Sequence, residues 1–491
     1  MSYISTRRNS PPISGSAAIL QGLAPDGGLY LPEKLPQVDW QALLQGDTFA
    51  IATGILSAFF PEIPHMDDLV RQAYSGKFQS DELTPLVKVG DRYVLELFRG
   101  PTSAFKDVAL CMLPRLMMAA KAVCGHSAHT TILTATSGDT GKAALEGFRD
   151  VPGIDICVFY PHGGVSDVQR RQMVSQEGEN VRVCAIRGNF DDCQTGVKQI
   201  FAQNPQADLS SANSINIGRL VPQITYYFTA YRDLLRSGAI ALGDQVNFSV
   251  PTGNFGDILA GFLAKKMGLP VGKLICASND NDVLTKFLAT GTYDRLRPLY
   301  KTKSPSMDIL VSSNLERLLA LVAEDPDLVP ELMGQLDREG RYHVPEYLLA
   351  RIRSHFHGGC CGGLSGQKAI GDLWRSRGYL MDTHTAAGWK ASEDYVNQTG
   401  DTRPMVVLST ASPYKFPAAV LAAITADPAL PLEEYTRALL REPTADGFTL
   451  MDRLHDLTAV PVPKNLANLR EKPERHTAVI EKEEMPAFVF R

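Results

Sequence analysis

The chain lacks a long apolar run. Nothing in its 491 residues approaches the ~18–20 consecutive apolar residues that a membrane-spanning helix needs, so no membrane partner is expected. It lacks a Gly-Lys-Ser/Thr triplet, which excludes a Walker-type nucleotide loop. None of its eight cysteines forms a Cys-x-x-Cys pair. That removes the common zinc and redox signatures and fits reduced thiols in a cytoplasmic protein. Neither sign of charge dominates: 49 Lys and Arg face 54 Asp and Glu, a formal net charge of −5. Nucleic acid is therefore not an expected partner. There is no internal repeat, no low-complexity segment and no secretory apolar core. The first 25 residues carry Arg7, Arg8, several serines and no acid, a composition that transit peptides share. His355-Phe-His357-Gly-Gly-Cys360-Cys361 has ligand types at a spacing that suits a soft metal. No second cluster accompanies it, so it reads as a Gly-rich loop and no metal is expected.

What is present is an α/β pattern. A chain this long is expected to divide into two or three domains. From about residue 90, short apolar strands alternate with helical stretches. The strand candidates are Tyr93–Phe98, Thr130–Leu133, Ile154–Tyr160, Val181–Ile186, Val246–Val250, Leu274–Ala277 and Met405–Leu408. Several end in Gly-, Ser- or Thr-rich turns, which is where such sheets gather ligands. The first ~90 residues look more helical and predict a separate cap. Residues 290–350 read as a helical insertion. The tail beyond 420 reads as helical at first, then extended with mobile ends.

Three strand-to-helix junctions carry the chemistry. In Leu97-Phe-Arg-Gly-Pro-Thr-Ser-Ala-Phe-Lys106-Asp107, a lysine follows a Gly-Pro turn at the mouth of a helix. A lysine desolvated there loses its proton readily, and only the neutral amine is a nucleophile able to form a Schiff base. Taken alone, the segment equally fits a surface lysine in a first helical turn. In Pro251-Thr-Gly253-Asn254-Phe255-Gly256, the glycines let successive N–H groups converge, and the following helix adds its positive end. That is an anion cradle with no basic residue of its own, or else an ordinary strand–helix turn. The third is Thr134-Ala-Thr-Ser137-Gly-Asp139-Thr140-Gly141. Its hydroxyls can line a flat ligand and donate to anionic oxygens. Ser137 or Asp139 can also serve as a plain helix N-cap.

Together these segments resemble the threonine synthases, pyridoxal-phosphate enzymes of fold type II. The resemblance covers almost the whole chain. It begins with Tyr3-Ile-Ser-Thr-Arg7 and Gln21–Glu33, which look like the opening of the longer microbial members. It continues through Gly100–Asp107, the Ser-Gly-Asp-Thr-Gly loop, Tyr160-Pro-His-Gly-Gly-Val-Ser and Asn213-Ser-Ile-Asn-Ile-Gly-Arg219. Gly253-Asn-Phe-Gly256, Ser306-Met-Asp308, Asp382-Thr-His-Thr-Ala386 and Ser409-Thr-Ala-Ser-Pro-Tyr-Lys-Phe416 close the series in family order. Because Tyr3–Arg7 lies inside the transit-like stretch, that stretch reads as mature sequence.

The resemblance implies a fold like that of the tryptophan synthase β chain: two α/β domains, an N-terminal cap and helical insertions. Its expected boundaries are a cap at 1–90, a large cofactor domain at 91–125 and 221–420, a small domain at 126–220 and a C-terminal extension at 421–491. It implies pyridoxal 5'-phosphate joined to Lys106, with the phosphate cradled by Gly253, Asn254, Phe255 and Gly256. Asp139 falls where many relatives carry an Asn facing the ring's 3′ oxygen. Two anionic oxygens there repel unless a proton lies between them. Thr410, or the adjacent Ser409, falls opposite the ring nitrogen. Ser137, Thr140, Asn213, Ser214 and Arg219 fall at the substrate site, the last three where the substrate's phosphate binds, and guanidinium grips phosphate bidentately. The implied reaction converts O-phospho-L-homoserine and water to L-threonine and phosphate by γ-elimination and β-replacement, with a monomer favoured. The alternative is a related phospholyase that releases 2-oxobutyrate and phosphate.

Overall fold

The computed structural model describes residues 1–204 and 206–490; Pro205 and Arg491 lie outside the described residues. Two sheets organise the chain. The larger has six strands, ordered Phe356–Cys360, Val271–Ser278, Val246–Pro251, Met405–Ser409, Arg92–Glu96 and Leu86–Val89. Neighbours in the first five run parallel, and Leu86–Val89 closes the edge as an antiparallel hairpin partner. The smaller sheet is parallel throughout, ordered Val479–Ile480, Val181–Ile186, Ile154–Pro161, Thr130–Ala135 and Leu209–Ser211. The central strands are buried along their length, as parallel strands covered on both faces must be. Their Val, Ile, Leu and Phe content made all seven legible as apolar runs, with ends that differ by a few residues.

Several expectations need correction. The Gly-rich stretch at 356–360 is not a loop but an edge strand, in register with Leu274–Ser278. Its glycines admit close neighbours: a Cβ on Gly359 would lie 2.7 Å from Ala391 Cβ, and one on Gly358 3.1 Å from Thr285 Cα. The tail does not end loosely. Val479–Ile480 joins the small sheet beside Ala185–Ile186, and Met485 and Val489 are buried against that domain's core. The N-terminal region is not purely helical, since Ser2–Ser5, Ile13–Ser14 and Tyr30–Pro32 form a three-stranded sheet around its helices. The insertion holds helices Leu315–Val322, Leu328–Glu339 and Glu346–His355, plus a two-stranded antiparallel sheet of Thr292–Asp294 with Arg341–His343. Among the described residues no helix is long and apolar enough to cross a membrane.

A helix pair joins the two sheets. Helix Lys106–Cys124 leaves the large sheet and packs on Asp139–Phe148 of the small domain. Pro114 inside the first helix has no N–H to offer the carbonyl of Leu110. Gly147 approaches that carbonyl so closely that a Cβ there would sit 2.0 Å from its oxygen. At the other end of the second helix Asp139 lies 3.7 Å from Lys106, so the N-termini of both helices meet at one cleft.

Candidate active site

Every residue singled out for cofactor or substrate lines a single cavity between the two sheets. Lys106, Ser137, Asp139, Thr140, Asn213, Ser214, Arg219, the Gly253–Gly256 loop and Thr410 all face it. Lys106 is the first residue of its helix and is buried. No side chain caps that helix, so the amine sits at its positive end. Burial lowers the Lys106 pKa to about 8, with Asp139 opposing the drop. Asp139 Oδ2 lies 3.7 Å from Lys106 Nζ. Burial works against the Asp139 charge, but Lys415 and Lys106 outweigh it and hold its pKa well below the usual carboxylate range.

The capping explanation for the Ser-Gly-Asp-Thr-Gly loop fails. Its helix begins at Asp139 with Gly138 as N-cap, at φ 134°, and neither Ser137 nor Asp139 caps it. Thr136 Oγ1 instead accepts from the N–H groups of Gly138 and Gly141, at 3.0 and 2.8 Å. Ser137 and Thr140 are thereby left to the cavity.

The Gly253–Gly256 loop is shaped by contacts rather than by sequence alone. Phe255 is left-handed at φ 61° and starts helix Gly256–Lys266, again with no side-chain cap. A Cβ on Gly253 would lie 2.5 Å from the carbonyl oxygen of Ser306. Asn314 clamps the loop, its N–H and Nδ2 both donating to Asn254 O. Fully buried Arg317 ties this clamp to its surroundings: it donates to Tyr30 O of the cap, to the Ser214 and Ile215 carbonyls, and to Asn314 Oδ1. A single guanidinium thus links the cap, the Asn213–Arg219 segment and the anion cradle.

Arg219 is also buried, and burial lowers its pKa to about 10, still well above neutrality. One terminal nitrogen donates to Ala212 O at 2.7 Å and the other reaches Thr140 Oγ1 at 3.5 Å. Its Nε has no partner, and neither has the buried Asn213 Oδ1. Ser214 lies against the cradle, 3.5 Å from where a Cβ on Gly256 would be, so the two anion sites adjoin. Thr410 faces the cavity, whereas the Ser409 hydroxyl is turned to Thr385 Oγ1 at 2.9 Å.

Two cavity groups, Asp257 and His384, and the buried Lys415 behind the cavity wall had no assigned role from sequence. Asp257 accepts from Tyr226 and Tyr227 at 2.6 and 3.0 Å, leaves Oδ2 without a partner, and has its pKa raised to about 6 by burial. His384 shares its Nδ1 with Asp382 at 2.7 Å, and its Nε2 accepts from Ser306 N. Lys415 is paired with Asp139. His384 and Lys415 lie inside the Asp382–Ala386 and Ser409–Phe416 motifs, and Asp257 directly follows Gly256, so the motifs marked their neighbourhood but not their roles.

These residues fit pyridoxal phosphate. An uncapped helix start and a glycine loop offer N–H groups to the phosphate, and a buried amine of lowered pKa lies across the same cavity. The orphaned Arg219 Nε and Asn213 Oδ1 await a further polar ligand. Sequence comparison gives the same answer. Three family profiles cover the chain: "Threonine synthase N terminus" over residues 2–74, "Pyridoxal-phosphate dependent enzyme" over 78–331 and "Threonine synthase, C-terminal" over 385–489.

The chain belongs to the threonine synthase family. It is 42% identical to the threonine synthase of Pseudomonas aeruginosa, across 88% of this chain and 92% of that one. The Saccharomyces cerevisiae threonine synthase is 39% identical across 85% and 88%. Among solved structures, the pyridoxal-phosphate-bound threonine synthase of Brucella melitensis superposes with a TM-score of 0.85 at 40% identity, covering 100% of this chain and 98% of that one. The yeast threonine synthase structure gives 0.86 at 34%, covering 100% and 97%. Like its family, the chain is a pyridoxal-phosphate enzyme of fold type II and a lyase.

Proposed function

We propose that the substrate is O-phospho-L-homoserine and that the products are L-threonine and phosphate. The observation that carries this reading is the second anion site: buried Arg219, with an unpartnered Nε, beside Thr140 and Asn213 and adjoining the Gly253–Gly256 cradle. One cradle serves the cofactor, and the other takes a phosphate borne by the substrate.

Bound pyridoxal phosphate supplies an electron sink for the substrate's carbanions. Lys106 Nζ would hold it, the Gly253–Gly256 loop would take its phosphate, and Asp139 and Thr410 would bind its ring, Thr410 through a neutral hydroxyl. The Lys106 amine, freed by the substrate amine, takes the Cα proton, helped by a pKa of about 8 that keeps much of it neutral near pH 8. A Cβ proton is removed next. Arg219, Asn213 and Ser214 hold the phosphate as its bond to Cγ breaks and stabilise the departing charge. A proton is returned at Cγ and water adds at Cβ. The departed phosphate, retained beside Cβ, serves as acid or base for that addition.

On this reading the four regions keep their expected bounds except that Leu86–Val89 joins the large domain and residues 479–489 the small one. The monomer favoured by the resemblance to the longer threonine synthases is kept in this reading, and eight free cysteines suit a cytoplasmic setting. Comparing O-phospho-L-homoserine with O-acetyl-L-homoserine tests the substrate. The reading expects a strong preference for the phosphorylated compound in kcat/KM, and equal turnover of the two would count against it.

A further inference from the structure

Asp139 is a carboxylate where a ring oxygen of like charge is expected, and its surroundings resolve the conflict. Asp139 Oδ1 receives Lys415 Nζ at 2.5 Å and Gln169 Nε2 at 2.8 Å. Oδ2 has no such donor and faces Lys106 Nζ at 3.7 Å. The Lys415 side chain is fully buried, at 0% exposure. It is anchored from behind, its Nζ donating to Thr102 O at 3.2 Å, a carbonyl that Gln172 Nε2 also reaches at 3.1 Å. The other carboxylate nearby, Asp107, is occupied by the N–H and hydroxyl of Thr102. Among the described residues, Asp139 is the one carboxylate within ion-pair distance of Lys415. The pair bridges the two α/β units, with Asp139 on the small-domain helix and Lys415 beside the last strand of the large sheet.

We propose that Lys415 is a positioning residue, the counter-ion that allows a carboxylate at position 139. It saturates one oxygen of Asp139 and leaves Oδ2 as a fixed anion toward which the Lys106 nitrogen keeps its proton while joined to the cofactor. Once Lys106 is joined to the cofactor it is no longer a free ammonium, and Lys415 becomes the standing cation against Asp139. The other charged or titratable groups facing this trio are Arg219, His384, Asp257 and Asp107. The inference rests on the reading of Lys106 as the lysine that holds the cofactor.

The test is a double-mutant cycle on the cofactor-loaded protein: Lys415→Met, Asp139→Asn and both together. The readout is the pH midpoint of the bound cofactor's visible absorption band, which requires no turnover and which a purely structural lysine would not move. Removing the cation favours protonation and removing the anion opposes it. Lys415→Met therefore raises the midpoint and Asp139→Asn lowers it, each by about one to three pH units. The double variant, with both charges gone, returns near the unsubstituted value. If Lys415→Met does not fold, the double variant must still show a higher midpoint than Asp139→Asn alone. An unmoved midpoint in Lys415→Met, shifts of the same sign in both single variants, or a double variant no higher than Asp139→Asn would overturn the proposal while leaving Lys106 in its role. A band that persists in Lys106→Ala with the same midpoint would overturn the role of Lys106, and the counter-ion proposal with it.

Discussion

Replacing Arg219 with Met separates stability from function. In the folded protein this guanidinium is buried, yet its Nε has no partner and its contact with Thr140 Oγ1 is long, at 3.5 Å. One good hydrogen bond, to Ala212 O at 2.7 Å, offsets part of the desolvation cost. A hydrogen bond from a charged donor contributes about 1.5–3 kcal/mol. An incompletely paired buried charge costs an amount of the same order. The two nearly cancel, so Arg219→Met leaves the melting temperature of the cofactor-loaded enzyme within a few degrees of its starting value, or raises it. Substrate binding has no such compensation. Losing a buried partner to a phosphate costs about 2–5 kcal/mol, which is about 30-fold to several-thousand-fold in affinity. Steady-state phosphate release reads the effect as a rise in KM, differential scanning fluorimetry reads stability, and the visible band reads cofactor retention. A variant that keeps KM but loses the cofactor would refute the assignment of the two anion sites. A large fall in melting temperature with unchanged KM would make Arg219 structural.

Other perturbations probe the rest of the site. Lys106→Ala should hold the cofactor without a covalent bond and show no turnover, and borohydride followed by mass spectrometry should tag Lys106 only in the unsubstituted protein. Cofactor attachment to apoprotein needs the neutral amine, whose pKa is lowered to about 8. Stopped-flow attachment rates should therefore rise with pH and level off just above 8, and levelling only near 10.5 would give Lys106 an ordinary surface environment. Gly253→Ala places a Cβ 2.5 Å from Ser306 O. Overpacking of this kind costs about 1–3 kcal/mol, so equilibrium titration should show cofactor affinity falling by roughly 5- to 150-fold, and an unchanged affinity would move the phosphate away from this loop.

The parts of the fold legible in sequence were those written locally. Val246–Pro251 and Ile154–Pro161 are buried almost throughout, so apolar residues dominate them despite Asn247, Ser249 and Asp155. Phe356–Cys360 escaped because its glycines, which let Ala391 and Thr285 pack close, carry no strand signal. Val479–Ile480 is two residues long and acquires its conformation from a partner strand far away in the chain. The site divides in the same way. Lys106 and Gly253–Gly256 lie in contiguous motifs whose chemistry is local. Lys415, Arg317 and Asp257 act through partners on other elements. What marks them in sequence is a charge beside apolar residues, such as Arg317, next to Glu316 in Leu315–Val322, and that signal does not say which group the charge faces. The helix caps show the converse. Ser137 and Asp139 suit capping by residue type, but the backbone at Gly138 directs them into the cavity instead.

The most direct measurement is product identity after cofactor-loaded protein is incubated with O-phospho-L-homoserine. The account predicts L-threonine and phosphate in equal amounts, with Arg219 and Lys106 both required. Phosphate with 2-oxobutyrate and no threonine would contradict it, leaving the fold and the cofactor but making the enzyme a phospholyase.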